Sequence, residues 1–76
     1  MDKLPDGRYD AVITSAQLET EGGLVLELTV HDGEFDGQIV PVRAAKQRFN
    51  LEPEELADRA VALTMRYGVA DVSLAE

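Results

Sequence analysis

From Gly22 to Val42 the chain alternates apolar and polar residues with a period of two. Leu24, Leu26, Leu28 and Val30 share one face, and Val25, Glu27, Thr29 and His31 the other. That is the pattern of a half-buried strand, and it predicts one over Leu24–His31. Asp32-Gly33 and Asp36-Gly37 interrupt the pattern as turn formers. Ile39, Val40 and Val42 resume it in a third strand over Gln38–Arg43. Pro41 inside that strand predicts an edge or a bulge, because proline has no N–H for a ladder. Upstream, Pro5-Asp6-Gly7 signals a turn. Tyr9, Ala11 and Ile13 then alternate with Arg8, Asp10, Val12 and Thr14, which predicts a first strand over residues 7–18. Glu19–Gly23 reads as a polar, glycine-ended turn, and Val69–Leu74 as a last short strand.

Between these strands the pattern supports two readings. Ala44–Asn50 is a basic connector ending in Phe49. Pro53 suits the first turn of a helix, and Glu54 and Glu55 suit its positive N-terminal end. One reading stops this helix near Asp58 and makes Arg59–Tyr67 a strand, with Val61, Leu63, Met65 and Tyr67 on one face. The other continues it to Tyr67, with a stripe of Leu56, Ala60, Leu63 and Tyr67, Gly68 as C-cap and a Glu55–Arg59 pair. Local propensity favours the long helix, because alanine, leucine and arginine are good helix formers. The first reading is mainly β with one short helix, a five-stranded OB-like barrel. The second is a three- to four-stranded antiparallel sheet packed by one helix over residues 53–67. Tyr9 and Tyr67 are in phase with apolar neighbours, so both are expected in the core.

At 76 residues the chain makes a single domain over 1–76 with one small core. It has no cysteine, so packing alone must hold it, helped at most by a partner. The net charge of −8 comes from fifteen acidic and seven basic residues. No Lys or Arg lies between Arg8 and Arg43, a gap that holds Asp10, Glu19, Glu21, Glu27, Asp32, Glu34 and Asp36. Such a balance repels phosphate backbones at long range and favours basic protein partners. No apolar run approaches the roughly 20 residues of a membrane span. The segment MDKLPDGRYD lacks the apolar core of a secretory signal. A soluble cytoplasmic protein is the expectation.

The order strand, strand, strand, helix, strand, strand is that of an OB barrel. LPDGRYDAVITSAQLE, LVLELTVHDGEFDGQIV and LEPEELADRAVALTMR together resemble the small OB-type, single-stranded-DNA-binding-like proteins of phage replication and recombination operons. Gly33-Glu34-Phe35-Asp36-Gly37 fits the glycine-aromatic-x-glycine turn of that family. The resemblance implies the short helix, the barrel and an accessory role on single-stranded DNA. This chain carries Asp36 where the family turn has a basic residue. Its Leu56-Ala57-Asp58-Arg59-Ala60 lacks the glycine that opens the family's fourth strand.

Arg43, Lys46, Arg48 and Phe49 are the nucleic-acid candidates, joined by Phe35 if its ring is exposed. Single strands are held by basic grooves and by rings on which bases stack. The competing reading makes the connector a solvated linker, with Phe49 plugging the core and Phe35 folded over the barrel mouth. Asp32, Glu34, Phe35 and Asp36 form the alternative site. They would make the chain an acidic protein-interaction module, or an anti-defence inhibitor that occupies a partner's basic groove. Val25, Val12 and Val40, read as outward-facing, would bury a homodimer contact. No cofactor or enzymatic chemistry is expected. Asp32–Arg43 mimics the start of an EF-hand loop but has Arg43 at the position of its bidentate glutamate. His31 is the sole histidine, so it has no partner for zinc. Ser15 and Ser73 lack a neighbouring base, and no glycine-rich phosphate loop occurs.

Overall fold

The computed structural model describes residues 4–75. Five strands and two single-turn helices follow one another: β1 (Gly7–Leu18), β2 (Gly23–Val30), β3 (Ile39–Ala45), α1 (Lys46–Phe49), α2 (Pro53–Leu56), β4 (Ala60–Arg66) and β5 (Val69–Leu74). They form one sheet in the order β3-β2-β1-β4-β5, with every neighbouring pair antiparallel. The sheet curls into a half-barrel of OB-like type.

The period of two decides which side chains fill the barrel. Leu24, Leu26, Leu28 and Val30 of β2 are all buried, and Val40 and Val42 of β3 lie opposite Leu28 and Leu26. Ala11 and Ile13 of β1 face the same interior. A bulge between Ile13 and Ser15 then shifts the phase, so that Ala16 and Leu18 lie opposite Leu26 and Leu24. The extra residue, Thr14, bonds its hydroxyl to the Glu27 carbonyl at 3.1 Å and lies 3.0 Å from the Thr29 hydroxyl. A bulge bends a long strand, which is how a twelve-residue β1 pairs with β2 along one half and β4 along the other. Val40 belongs to this interior. The expected outward trio with Val12 and Val25 is therefore corrected, and on β3 it is Ile39 that faces out.

Residues 60–66 are strand, not helix. Ala57, at φ −58° and ψ 140°, ends α2, and Asp58 follows at a left-handed φ of 64°. Its N–H donates to the Ile13 carbonyl at 2.8 Å, while the Arg59 carbonyl accepts from Ile13 at 3.0 Å. The chain is thereby hooked onto β1. Val61, Leu63 and Met65 bury against β5's Val72 and the rest of the core, while Ala60 is left exposed. Non-local burial overrides the local helix propensity.

The two sheet edges, β3 and β5, are each blunted. Val30 donates to the Gln38 carbonyl at 2.9 Å, and Lys46 to the Gly22 carbonyl at 3.2 Å. Antiparallel ladders alternate, so even-numbered β3 residues bond to β2 and odd ones face the open edge. Pro41 faces that edge, where its missing N–H costs no ladder bond and discourages strand addition. On β5, Ala75 donates to the Ala60 carbonyl at 3.1 Å, so the Val72 carbonyl faces the open side. Arg48 of α1 reaches across the gap and donates to that carbonyl at 2.8 Å, while pairing with Asp71.

The Arg48 hydrogen bond and its charge hold the Asp71 carboxyl below the usual carboxylate range. A lowered folded pKa contributes stability above the ordinary value, and that contribution is lost as pH falls through the lowered one. Arg48→Ala is expected to cost about 1 kcal/mol at neutral pH, chiefly through the Val72 carbonyl. The gap to wild type should narrow as pH falls below about 4. Urea denaturation at neutral and acid pH measures both, and a gap independent of pH would remove Asp71 from the account.

Candidate interaction surface at one end of the barrel

The expected nucleic-acid residues do not assemble into one surface. Arg43 points outward from β3, 3.4 Å from the Glu19 carboxylate of the β1–β2 turn. Lys46 is 2.7 Å from Glu52, and Arg48 is held by Asp71. Phe49 is buried in the core, with the Arg48 guanidinium 5.8 Å from its ring centroid. Phe35 lies at the other end of β3, in the β2–β3 loop. It is half-buried against the core and meets Tyr9 edge-on, with ring centroids 5.9 Å apart. Each of the three cations thus has a carboxylate of its own chain, Phe49 is taken up by the core, and the half-buried Phe35 lies away from all three.

The β2–β3 loop is ordered by its own polar groups. Asp32 sits at a left-handed φ of 69° and donates its N–H to the Asp36 Oδ1 at 2.9 Å. Gly37 donates to the Val30 carbonyl at 2.8 Å, and Gln38 to the Phe35 carbonyl at 3.0 Å. Asp36, which stands where the resembled family has a basic residue, therefore braces the loop. Asp32 and Glu34 are exposed, and neither forms an ion pair among the described residues.

An open groove of about 370 Å³ runs between this loop and the start of β1. Tyr9 and Phe35 line it with their rings; Arg8, Asp10, Asp32 and Glu34 supply its charges, and His31 also borders it. Tyr9 is half-buried against the core, as expected in part, and its hydroxyl donates to the Pro5 carbonyl at 2.6 Å.

Tyr67 corrects the sequence reading. It is not core but 87% exposed, the most exposed large apolar side chain among the described residues. β4 ends at Arg66, which pairs with Val69, so Tyr67-Gly68 is a two-residue hairpin turn. Both residues have positive φ, 52° and 81°, as a type I′ turn requires. The Tyr67 N–H donates to the Asp6 carboxylate at 2.8 Å. The signal that could have found this was the spacing: two alternating runs separated by two residues, the second of them glycine. Arg66 and Arg8 lie on the outer face beside the turn. Neither has a carboxylate partner among the described residues.

Among the described residues no three His, Cys, Asp or Glu side chains are grouped to hold a metal ion, and no helix is long and apolar enough to cross a membrane. No protein-family profile, curated protein or solved structure matches the chain.

Proposed function

We propose that the chain is a small, non-enzymatic OB-type interaction module of the cytoplasm that docks on a basic surface of a protein partner. The observation that carries this is that Arg43, Lys46 and Arg48 each stand beside a carboxylate, Glu19, Glu52 and Asp71, which offsets the positive charge of the expected nucleic-acid residues. Asp10, Asp32 and Glu34, by contrast, are exposed around a groove lined by two aromatic rings. A partner's lysine or arginine would meet carboxylates and ring faces together there.

Single-stranded nucleic acid is the second reading. It draws on the resemblance of the sequence and on one specific observation, the unpaired Arg8 and Arg66 beside the exposed Tyr67. Two phosphate contacts and one stacked base, at about 1–3 kcal/mol per base, would bind weakly against a net charge of −8.

Titrating a labelled oligolysine peptide and an oligothymidylate against the protein separates the two. The peptide is expected to bind with an affinity that falls as salt rises. Combining Glu34→Lys with Asp32→Asn, which keeps a residue tolerant of positive φ, should weaken it about tenfold or more. Glu54→Lys with Glu21→Gln makes the same change in charge elsewhere and should weaken it far less. Equal losses from both pairs would reduce the effect to net charge. Oligothymidylate binding that Arg66→Ala removes would establish the second reading instead.

A further inference from the structure

Tyr67 is costly where it stands. A bulky residue at positive φ is unfavourable, and type I′ turns strongly prefer Asn-Gly or Asp-Gly. The ring is solvent-exposed beside Val69, itself 67% exposed, so it adds nothing to the core of one copy. Strain of this kind points to a role outside the fold of the single chain.

The hairpin tip and the aromatic-lined groove flank the same stretch of chain. Gly7 and Arg8 pair with Met65 and Thr64 of β4 on one side. On the other, the Asp10 carbonyl accepts from the His31 N–H at 2.8 Å, where the β2–β3 loop begins. The end of the barrel therefore carries a knob and a hole side by side. The knob is Tyr67 flanked by Arg66. The hole, an open groove of about 370 Å³, is lined by Tyr9 and Phe35 and bordered by Asp10, Asp32 and Glu34, with Arg8 as its one arginine. The knob presents the Arg66 cation, and carboxylates outnumber Arg8 around the hole, so the two are complementary in charge as well as in shape.

We propose that this end is a self-complementary patch through which two copies of the chain dock. Tyr67 of each copy enters the groove of the other, and Arg66 of each meets the other's Asp32 and Glu34. A two-fold contact needs one patch that holds both halves of the complementarity, and this end holds both. The arrangement puts an aromatic ring and an arginine, the residue types that dominate interface energetics, at the centre of the contact. The contact fills the same groove and uses the same Asp32 and Glu34 as the basic-partner reading, so a second copy and a basic partner would compete for it; Tyr67→Asn, which leaves the acidic loop intact, tells the two apart.

Sedimentation velocity at physiological salt, with protein up to millimolar concentration, tests this. Wild type is expected to shift from monomer to dimer as concentration rises. Tyr67→Asn suits the turn and removes the ring, so it should keep the fold, as its melting curve would show, and weaken dimerisation about tenfold or more. Arg66→Glu and Glu34→Arg should each be monomeric alone. Mixed in equal amounts they should form a heterodimer, because both cross-contacts then pair opposite charges. A wild type that stays monomeric at millimolar concentration overturns the proposal. So does a dimer that Tyr67→Asn leaves unchanged, or a mixture of the charge variants that stays monomeric. If Tyr67→Asn abolishes oligothymidylate binding with no change in mass, the tip belongs to nucleic acid instead.

Discussion

Leu26→Ala is expected to remove a large share of the folding stability of the chain. Leu26 is fully buried in β2, between Ala16 of β1 and Val42 of β3. Truncating such a leucine costs about 2–5 kcal/mol, the transfer loss plus the cavity left behind. At about 0.05–0.15 kcal/mol per residue, a chain of this length has only about 4–11 kcal/mol in total. No disulfide adds to that. The adjacent Val25 points to the outer face and is half-buried, so Val25→Ala should cost about 1 kcal/mol or less. Urea denaturation of the pair reads the period of two as an energy difference. Equal costs at the two positions would mean that the inner and outer faces are wrongly assigned.

The strands were legible because each carries its own alternation. β1 and β5 run over the predicted residues, and β2 and β3 differ from prediction by one or two residues at each end. Residues 59–67 were ambiguous because alanine, leucine and arginine satisfy both periods. The left-handed turn at Asp58 and its bonds to Ile13 settle the matter, and these are tertiary facts. Tyr67 was misread for a related reason. It keeps the phase of Val61, Leu63 and Met65, but the strand ends one residue before it and the turn rotates it outward. α1 escaped notice because Lys46–Phe49 is one turn long, too short to show a period.

The candidate site was less legible than the fold. Arg43, Lys46 and Arg48 look like a basic cluster along the chain. Glu52 is a local partner in the α1–α2 connection, but Glu19 and Asp71 come from distant parts of the chain that the fold brings near. With fifteen acidic residues to seven basic ones, a cation on this surface is seldom far from a carboxylate. A run of basic residues in so acidic a chain is therefore poor grounds for a phosphate-binding groove. The informative cations are Arg8 and Arg66, which have neither a carboxylate nor a carbonyl partner among the described residues. They are distant in sequence and come to the same end of the sheet because β1 pairs with β4.

Phe49→Ala should cost about 3–5 kcal/mol, whereas Phe49→Leu should cost less than about 1.5 kcal/mol. Four residues cannot hold a helix in water by themselves, so α1 persists only because Phe49 packs into the core. The Phe49 ring also lies beside the Arg48 guanidinium, which crosses to the Val72 carbonyl of β5. Removing the ring should therefore loosen the bridge over the open side of the sheet. The costs of Phe49→Ala and Arg48→Ala should then be non-additive, with the double variant losing less than the sum. Thermal melts of the two single variants and the double measure the coupling. A ring used for stacking bases would behave in the opposite way: its removal would leave the melting temperature unchanged and weaken oligonucleotide binding alone.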